Sequence, residues 1–250
     1  MDDPTVSPLF ADPNLAAFYD SAQTSRHDFD YCRDLASNAR SVLDLGCGTG
    51  AFACSIADTR RVVGVEPASG MLDIARQRPS ADKVTWHQGS AETMRLDETF
   101  DLIVLTGHTF QVFLTRDQQL NCLHTIRAHL SENGTFIFDT RNPEYPGSKE
   151  RSKSQTLSTG HHPELGAFEK WNSSKYDEES GILTYTNGYR ILKTGNTHAA
   201  EARIRYSSLS EISDLMKDAG LSVQQWLGDW QGGPFTQNSP EIIPVGHIAT

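Results

Sequence analysis

The chain has 250 residues, 37% hydrophobic and 22% charged, which allows one large domain or one domain with a sizeable insertion. Net charge is −10, with 11 Lys/Arg against 19 Asp/Glu from Met1 to Thr140 and 11 against 13 from Arg141 to Thr250, so no basic patch invites nucleic acid. The four cysteines form no CxxC pair, no apolar run approaches about 18 residues, and the start MDDPTVSPLF is acidic, which argues for reduced thiols in a cytoplasmic protein without a membrane span.

Asn14 to Ala39 reads as helical, with Leu15, Phe18 and Tyr19 on one face. Strands and helices then alternate. SVLDLG is a buried strand and GAFACSIAD a helix; RVVGVE is a strand and SGMLDIARQRP a helix; VTWHQG and FDLIVLTG are strands. RDQQLNCLHTIRAHL is an amphipathic helix with Leu120, Leu123, Ile126 and Leu130 at 3–4 spacing. The glycine of SENGT is placed as its stop, and GTFIFDT follows as a fifth strand. Such alternation implies right-handed crossovers and a doubly wound parallel sheet.

After Thr140 the rhythm changes. Arg141 to Gly166 is polar and reads as loop, followed by three strand-like pieces, AFEKWNSSKYD, GILTYTNGYRIL and THAAEARIRYSS. In the last, Ala202, Ile204 and Tyr206 alternate with charged residues, the period of a strand with one buried face. This region, 141–207, is expected to be an antiparallel insertion, with Trp171, Tyr185 and Tyr206 either in the core of its sheet or forming an aromatic wall around a substrate. SLSEISDLMKDAG returns to helix, with a Ser208/Glu211 capping box and Gly220 as stop. LSVQQWLG and EIIPVGHIAT are two further strands.

The chemistry concentrates at VLDLGCGTGAF, where Gly46, Gly48 and Gly50 follow a strand at alternate positions. Glycines there let the backbone turn tightly and let a ligand approach it closely. A dinucleotide fold spaces its glycines GxGxxG with a pyrophosphate at the helix start. The GxGxG spacing differs, and Asp44 is awkward beside a diphosphate but suits an ammonium group. Glu66 closes the next strand, where a carboxylate accepts hydrogen bonds from a ribose diol. Cys47 is read as a small side chain in a tight loop rather than a nucleophile. Asp101 starts a strand and reads as a loop cap. The histidines other than His108 lack partners at metal spacing, and no metal is expected.

In these residues the sequence resembles class I S-adenosylmethionine-dependent methyltransferases of the bacterial small-molecule type. VLDLGCGTG is similar to the first motif of that family, VVGVEPASGMLDIAR to the second, HQGSAETM to the third and FDLIVLTGHTF to the fourth. NLAAFYD, RHDFDYCRDLA and the ending GDWQGGPFTQNSPEII also resemble such enzymes. The resemblance implies a seven-stranded Rossmann-like sheet built from 1–140 and 208–250, with 141–207 as a substrate lid. It implies S-adenosylmethionine as cofactor and S-adenosylhomocysteine as product. The implied cofactor residues are Tyr19, Asp44, Gly46, Cys47, Gly48, Gly50, Glu66, Pro67, Met71, Ser90, Ala91, Glu92, Thr106 and Gly107. Ser90 stands where the family often has Asp, and the Ala91 amide is the other expected adenine contact.

His108 follows the fourth strand where donor and acceptor would meet, and is a candidate base or pocket residue. Tyr19 is a candidate cover for the sulfonium end. Asp139 and Arg141 close the fifth strand at the mouth of the same site, as candidates to orient a charged substrate. RNPEY is similar to the NPPY signature of nucleobase and amide methyltransferases, but follows the fifth strand rather than the fourth and has Glu144 at the second proline. The expected reaction is methyl transfer to an N or O nucleophile of a small molecule, by a monomer or homodimer. A non-catalytic sensor or scaffold that binds S-adenosylmethionine is the alternative, and an NAD(H) oxidoreductase is disfavoured by the glycine spacing and Asp44.

Overall fold

The computed structural model describes residues 6–22, 26–146 and 149–249. Three short helical turns begin the chain: α1 (Pro8–Ala11), α2 (Pro13–Ala16) and α3 (Tyr19–Ala22), followed by α4 (His27–Ala36). The helix expected over Asn14 to Ala39 is therefore broken, and residues 23–25 within it lie outside the described residues. Pro8 and Pro13 each open a turn, and the Ser7 and Asp12 side chains cap α1 and α2.

The central sheet follows from strands apolar on both faces. β1 (Ser41–Leu45), β2 (Arg61–Glu66), β3 (Val84–Gln88), β4 (Phe100–Leu105) and β5 (Leu130–Phe138) pair in parallel. Between them run α5 (Ala51–Ile56), α6 (Ser69–Ala75) and α7 (Arg116–His129). Alternate strand residues face opposite layers. Val42, Val62, Leu102, Val104 and Ile137 pack with Cys32 and Ala36 of α4 and with Phe52, Ala53 and Ile56 of α5. Leu43, Leu45, Val63, Val65, Ile103 and Leu105 pack on the other side with Leu123 and Ile126 of α7. Burying one such side chain contributes about 1.5–3 kcal/mol, so helices on both faces are what these strands require.

Gly134 does not stop α7 as expected. The helix ends at His129, and Gly134 lies inside β5. A Cβ there would stand 2.8 Å from the Phe100 carbonyl oxygen, so the glycine permits close strand approach where the β4–β5 register shifts.

β6 (Thr140–Arg141) leads out of the sheet. The polar stretch read as loop contains α8 (Lys153–Thr156) and β7 (Ser158–His162). β7 has no apolar alternation to reveal it; it is defined by pairing with β8 (Gly166–Asp177) and by Gly160, against which Phe168 packs. β9 (Ile182–Ile191) and β10 (Thr197–Arg205) complete an antiparallel sheet in the order β10-β9-β8-β7. α9 (Leu209–Asp218) begins with the expected Ser208/Glu211 capping box, and Gly220 follows at φ +69°. β11 (Leu221–Leu227) and β12 (Glu241–Ile248) return to the core, giving the order β11-β12-β5-β4-β1-β2-β3, with β6 beside β12. The doubly wound seven-stranded sheet with a separate antiparallel sheet is the architecture the sequence implied.

The N-terminal turns join the two sheets. Phe18 stacks on Tyr189 at 4.6 Å and meets Phe168 edge-on at 5.0 Å. Lys170 Nζ donates to the Ala22 carbonyl, Ser7 Oγ to the Glu201 carbonyl, and Thr49 Oγ1 to Asp20 Oδ1. These bonds tie the start of the chain to the antiparallel sheet on one side and to the glycine loop on the other.

Candidate active site

β1 delivers its glycine loop to the carboxyl edge of the sheet. Gly46 N and Cys47 N donate to the Val65 carbonyl at 2.8 and 3.0 Å, fixing the loop to β2. Gly46 has φ +74°, and a Cβ there would come within 2.4 Å of Thr109. Gly48 has φ +54° and open space where a Cβ would stand, so its backbone is exposed to a ligand. Glu66 Oε2 accepts from Gly48 N and Oε1 from Ala68 N, each at 3.0 Å. Each carboxylate oxygen keeps a further lone pair for a ligand hydroxyl. Burial pushes the Glu66 carboxyl up to about 7, opposed by those two amides.

Asp44 is buried at the end of β1, and its Oδ1 has no hydrogen-bond partner among the described residues. Burial pushes its carboxyl up to about 7, opposed by Arg26 and reinforced by the Glu66 and Asp28 carboxylates. An orphaned acceptor of this kind costs stability unless a donor completes it.

Two cavities meet above this edge. The smaller, about 380 Å³, is lined by Tyr19, Gly46, Gly48, Glu66, Pro67, Met71, Ser90, Ala91, Glu92 and Gly107 among others. The larger, about 1010 Å³, lies between the sheet edge and the antiparallel sheet, and takes in His108, Asp139, Arg141, Trp171, Tyr185, Tyr206 and Glu241. Phe10, Tyr19, Gly107 and Val112 line both. Asp44, Cys47, Gly50 and Thr106, also expected at the cofactor site, line neither. A Cβ at Gly50 would meet Trp86 and Ala75; the Cys47 thiol is buried, which pushes its pKa well up; and Thr106 Oγ1 lies 3.5 Å from Arg26 Nη2. Ser90 Oγ accepts from Glu92 N, closing the turn after β3. Trp171, Tyr185 and Tyr206 are half-buried and line the larger cavity.

At the floor of the larger cavity stands His108, with left-handed backbone (φ 63°, ψ 27°). Its N–H donates to Asp139 Oδ1 at 2.9 Å. Its Nε2 lies 3.1 Å from both Glu241 oxygens and 3.5 Å from Asp139 Oδ2. With carboxylates around Nε2, that nitrogen carries the proton, and Nδ1, which has no partner among the described residues, offers its lone pair. Burial raises the Asp139 carboxyl; His108 opposes this and Glu241 adds to it. Among the described residues, His108, Asp139 and Glu241 place one potential ligand atom each within 4.8 Å of one another, a grouping that accommodates a cation.

Arg26, its partner Asp28, and Glu241 were not singled out from the sequence as site residues. Arg26 clamps Asp28 through Nε at 3.0 Å and Nη2 at 2.7 Å, beside Thr106 at the cavity wall. Glu241 reaches the floor because β12 pairs with β6, which sets Glu241 opposite Arg141. Its only sequence signal was its place in the ending that resembles related enzymes. Asp101, by contrast, does cap the chain: its Oδ2 accepts from Arg40 N at 2.9 Å. Asn142, in the segment similar to NPPY, is buried in a turn, donating to the Gln237 and Ser239 carbonyls. Among the described residues no helix is long and apolar enough to cross a membrane.

Residues 42–134 match the model of the methyltransferase domain family. The chain is 25% identical over 210 residues to the cypemycin N-terminal methyltransferase of a Streptomyces species, covering 83% of each protein. Among solved structures it resembles the CcbJ methyltransferase of Streptomyces caelestis, with TM-score 0.78, 24% identity and coverage of 94% and 96% of the two chains. It also resembles the sugar N-methyltransferase KedS8 of a Streptoalloteichus species, with TM-score 0.76, 15% identity and coverage of 93% and 92%. The orphaned Asp44 oxygen, the open backbone at Gly48 and the free lone pairs of Glu66 suit the ammonium and ribose ends of S-adenosylmethionine. The methyltransferase-domain match over residues 42–134 and these relatives support a class I S-adenosylmethionine-dependent methyltransferase.

Proposed function

We propose that this enzyme methylates an amine nitrogen of a small molecule held in the larger cavity. The observation that carries the reading is the His108, Asp139 and Glu241 cluster, set in the cavity that adjoins the cofactor pocket at Tyr19 and Gly107. Two carboxylates and an imidazole attract an ammonium far better than an alcohol, which carries no charge for them to meet. The relatives named for N-terminal and sugar N-methylation fit an amine acceptor.

In this reading the smaller cavity holds the cofactor. Glu66 accepts from the ribose hydroxyls, Asp44 from the ammonium, and Ser90 and Ala91 border the adenine, with Pro67, Met71 and Glu92 lining the same pocket. When bound, S-adenosylmethionine supplies a methyl group already activated by the sulfonium charge. The protein's work is positioning, water exclusion and proton handling. Tyr19, shared by both cavities, orients the reacting ends. The acceptor arrives as an ammonium, and His108 Nδ1 takes its proton, freeing the nitrogen lone pair. Glu241 and Asp139 stabilise the resulting imidazolium through Nε2–H. Segment 141–207 closes over the acceptor as a lid, with Trp171, Tyr185 and Tyr206 forming its wall.

The test is a kinetic split at His108. With an acceptor recovered from cell extract, His108→Ala is expected to lower kcat by about 100-fold or more, the range of general base catalysis. S-adenosylhomocysteine affinity, read by calorimetry, is expected to stay within twofold, roughly 0.4 kcal/mol. Loss of cofactor affinity with turnover retained at saturation would make His108 a pocket residue and refute the base role.

A further inference from the structure

The larger cavity carries charge of both signs. Its lining includes the carboxylates Asp139 and Glu241 and the cations Arg141, Lys149 and Arg151, with Arg141 set opposite Glu241 by the β6–β12 pairing. The chain as a whole is strongly acidic, yet Arg141 to Lys153 holds four cations against two carboxylates. Among the described residues none of Arg141, Lys149 and Arg151 has a carboxylate within ion-pair distance; Arg141 Nη1 donates to the neutral Gln111 Oε1 at 3.1 Å. Lys149 Nζ sits over the Tyr176 ring at 4.7 Å and the Tyr206 ring at 5.9 Å. Arg141 and Arg151 both act electrostatically on Tyr206, opposed by Glu241, and Lys149 lies over the same ring.

Their mounting is also fixed. Ser174 of β8 binds this segment three times: its N–H donates to the Arg151 carbonyl at 2.9 Å, its carbonyl accepts from Arg151 N at 3.3 Å, and its Oγ donates to the Lys149 carbonyl at 2.7 Å. Cations without ion-pair partners among the described residues, on a segment hydrogen-bonded to β8 and lining a cavity large enough for a drug-sized ligand, constitute a receptor for negative charge.

Resting on the proposed amine acceptor, we infer that this acceptor also carries an anionic group, a phosphate or a carboxylate, bound by Arg141, Lys149 and Arg151 while its amine lies against His108. The acceptor is thus dipolar and is oriented by the cavity at both ends. Recognition of the anionic group lets binding energy remote from the reaction position the nitrogen.

The experiment is calorimetric titration of the full chain, saturated with S-adenosylhomocysteine, with inorganic pyrophosphate and with citrate at constant ionic strength. At least one anion is expected to bind saturably. Arg151→Gln and Lys149→Gln should each weaken it by about fivefold, the upper range of one exposed charge pair, while Lys193→Gln at a distant hairpin should not. Binding of pyrophosphate alone identifies the group as phosphate, and of citrate alone as carboxylate. No saturable binding, or binding indifferent to Arg151→Gln and Lys149→Gln, overturns the inference while leaving the methyltransferase reading intact. Failure of S-adenosylhomocysteine itself to bind would instead strike at that reading.

Discussion

Replacing Asp44 by Asn separates binding from stability in a way that only a ligand-directed carboxylate allows. In the folded protein without cofactor, burial lifts this carboxyl from its ordinary 3.8 to about 7. The folded state therefore holds the proton more tightly than the unfolded chain. The contribution favours folding below pH 4 and is lost as pH rises through 7, a swing of roughly 4 kcal/mol in order of magnitude. Asn carries no charge to desolvate, so Asp44→Asn is expected to match or exceed the wild-type melting temperature at pH 8. Cofactor binding should move the other way. The ammonium needs the ionised carboxylate, and losing a charge-assisted hydrogen bond worth about 1.5–3 kcal/mol weakens binding about 10- to 150-fold. Wild-type affinity for S-adenosylhomocysteine should rise at least about tenfold per pH unit up to 7 and then level, as Asp44 and Glu66, both lifted to about 7, ionise on binding. Calorimetry from pH 5.5 to 8, with thermal melts of the cofactor-free proteins alongside, measures both. Unchanged affinity at pH 8 in Asp44→Asn, or a wild-type affinity flat with pH, would show that the Asp44 carboxylate does not meet the ammonium.

Glu66→Ala removes the acceptor of two amides and the proposed ribose partner, and is expected to weaken S-adenosylhomocysteine binding about 10- to 150-fold by calorimetry. Ser208 caps α9 by accepting from Glu211 N, so Ser208→Ala should lower unfolding free energy by about 0.5–2 kcal/mol in denaturant titration, with cofactor affinity unchanged. The His108, Asp139 and Glu241 cluster is assigned here to an ammonium, and turnover should survive dialysis against EDTA; activity lost on chelation and restored by a divalent ion would assign the cluster to a metal.

How much of this was legible in the sequence follows from the range of the interactions. β1 and β2 announce themselves because strands buried on both faces must be apolar throughout, and Gly46 and Gly48 because their positive φ excludes most other residues. The α9 capping box was readable for the same local reason. β7 was not, since its residues are polar and its strand state is imposed by β8. Gly134 was misread because a helix stop and a close strand approach both call for glycine. Glu241 was invisible as a site residue, since it meets His108 only through strand pairing between β12 and β6, 100 positions apart at Arg141 and Glu241. Arg26 carries no motif, and its role is set by Asp28 and Thr106 as neighbours in space.

The most direct test of the central claim is to incubate the purified enzyme with S-adenosylmethionine labelled on the methyl group and a whole-cell extract, then separate the products by size. Label is expected in the small-molecule fraction, on an amine nitrogen. Label confined to protein or nucleic acid would contradict that claim.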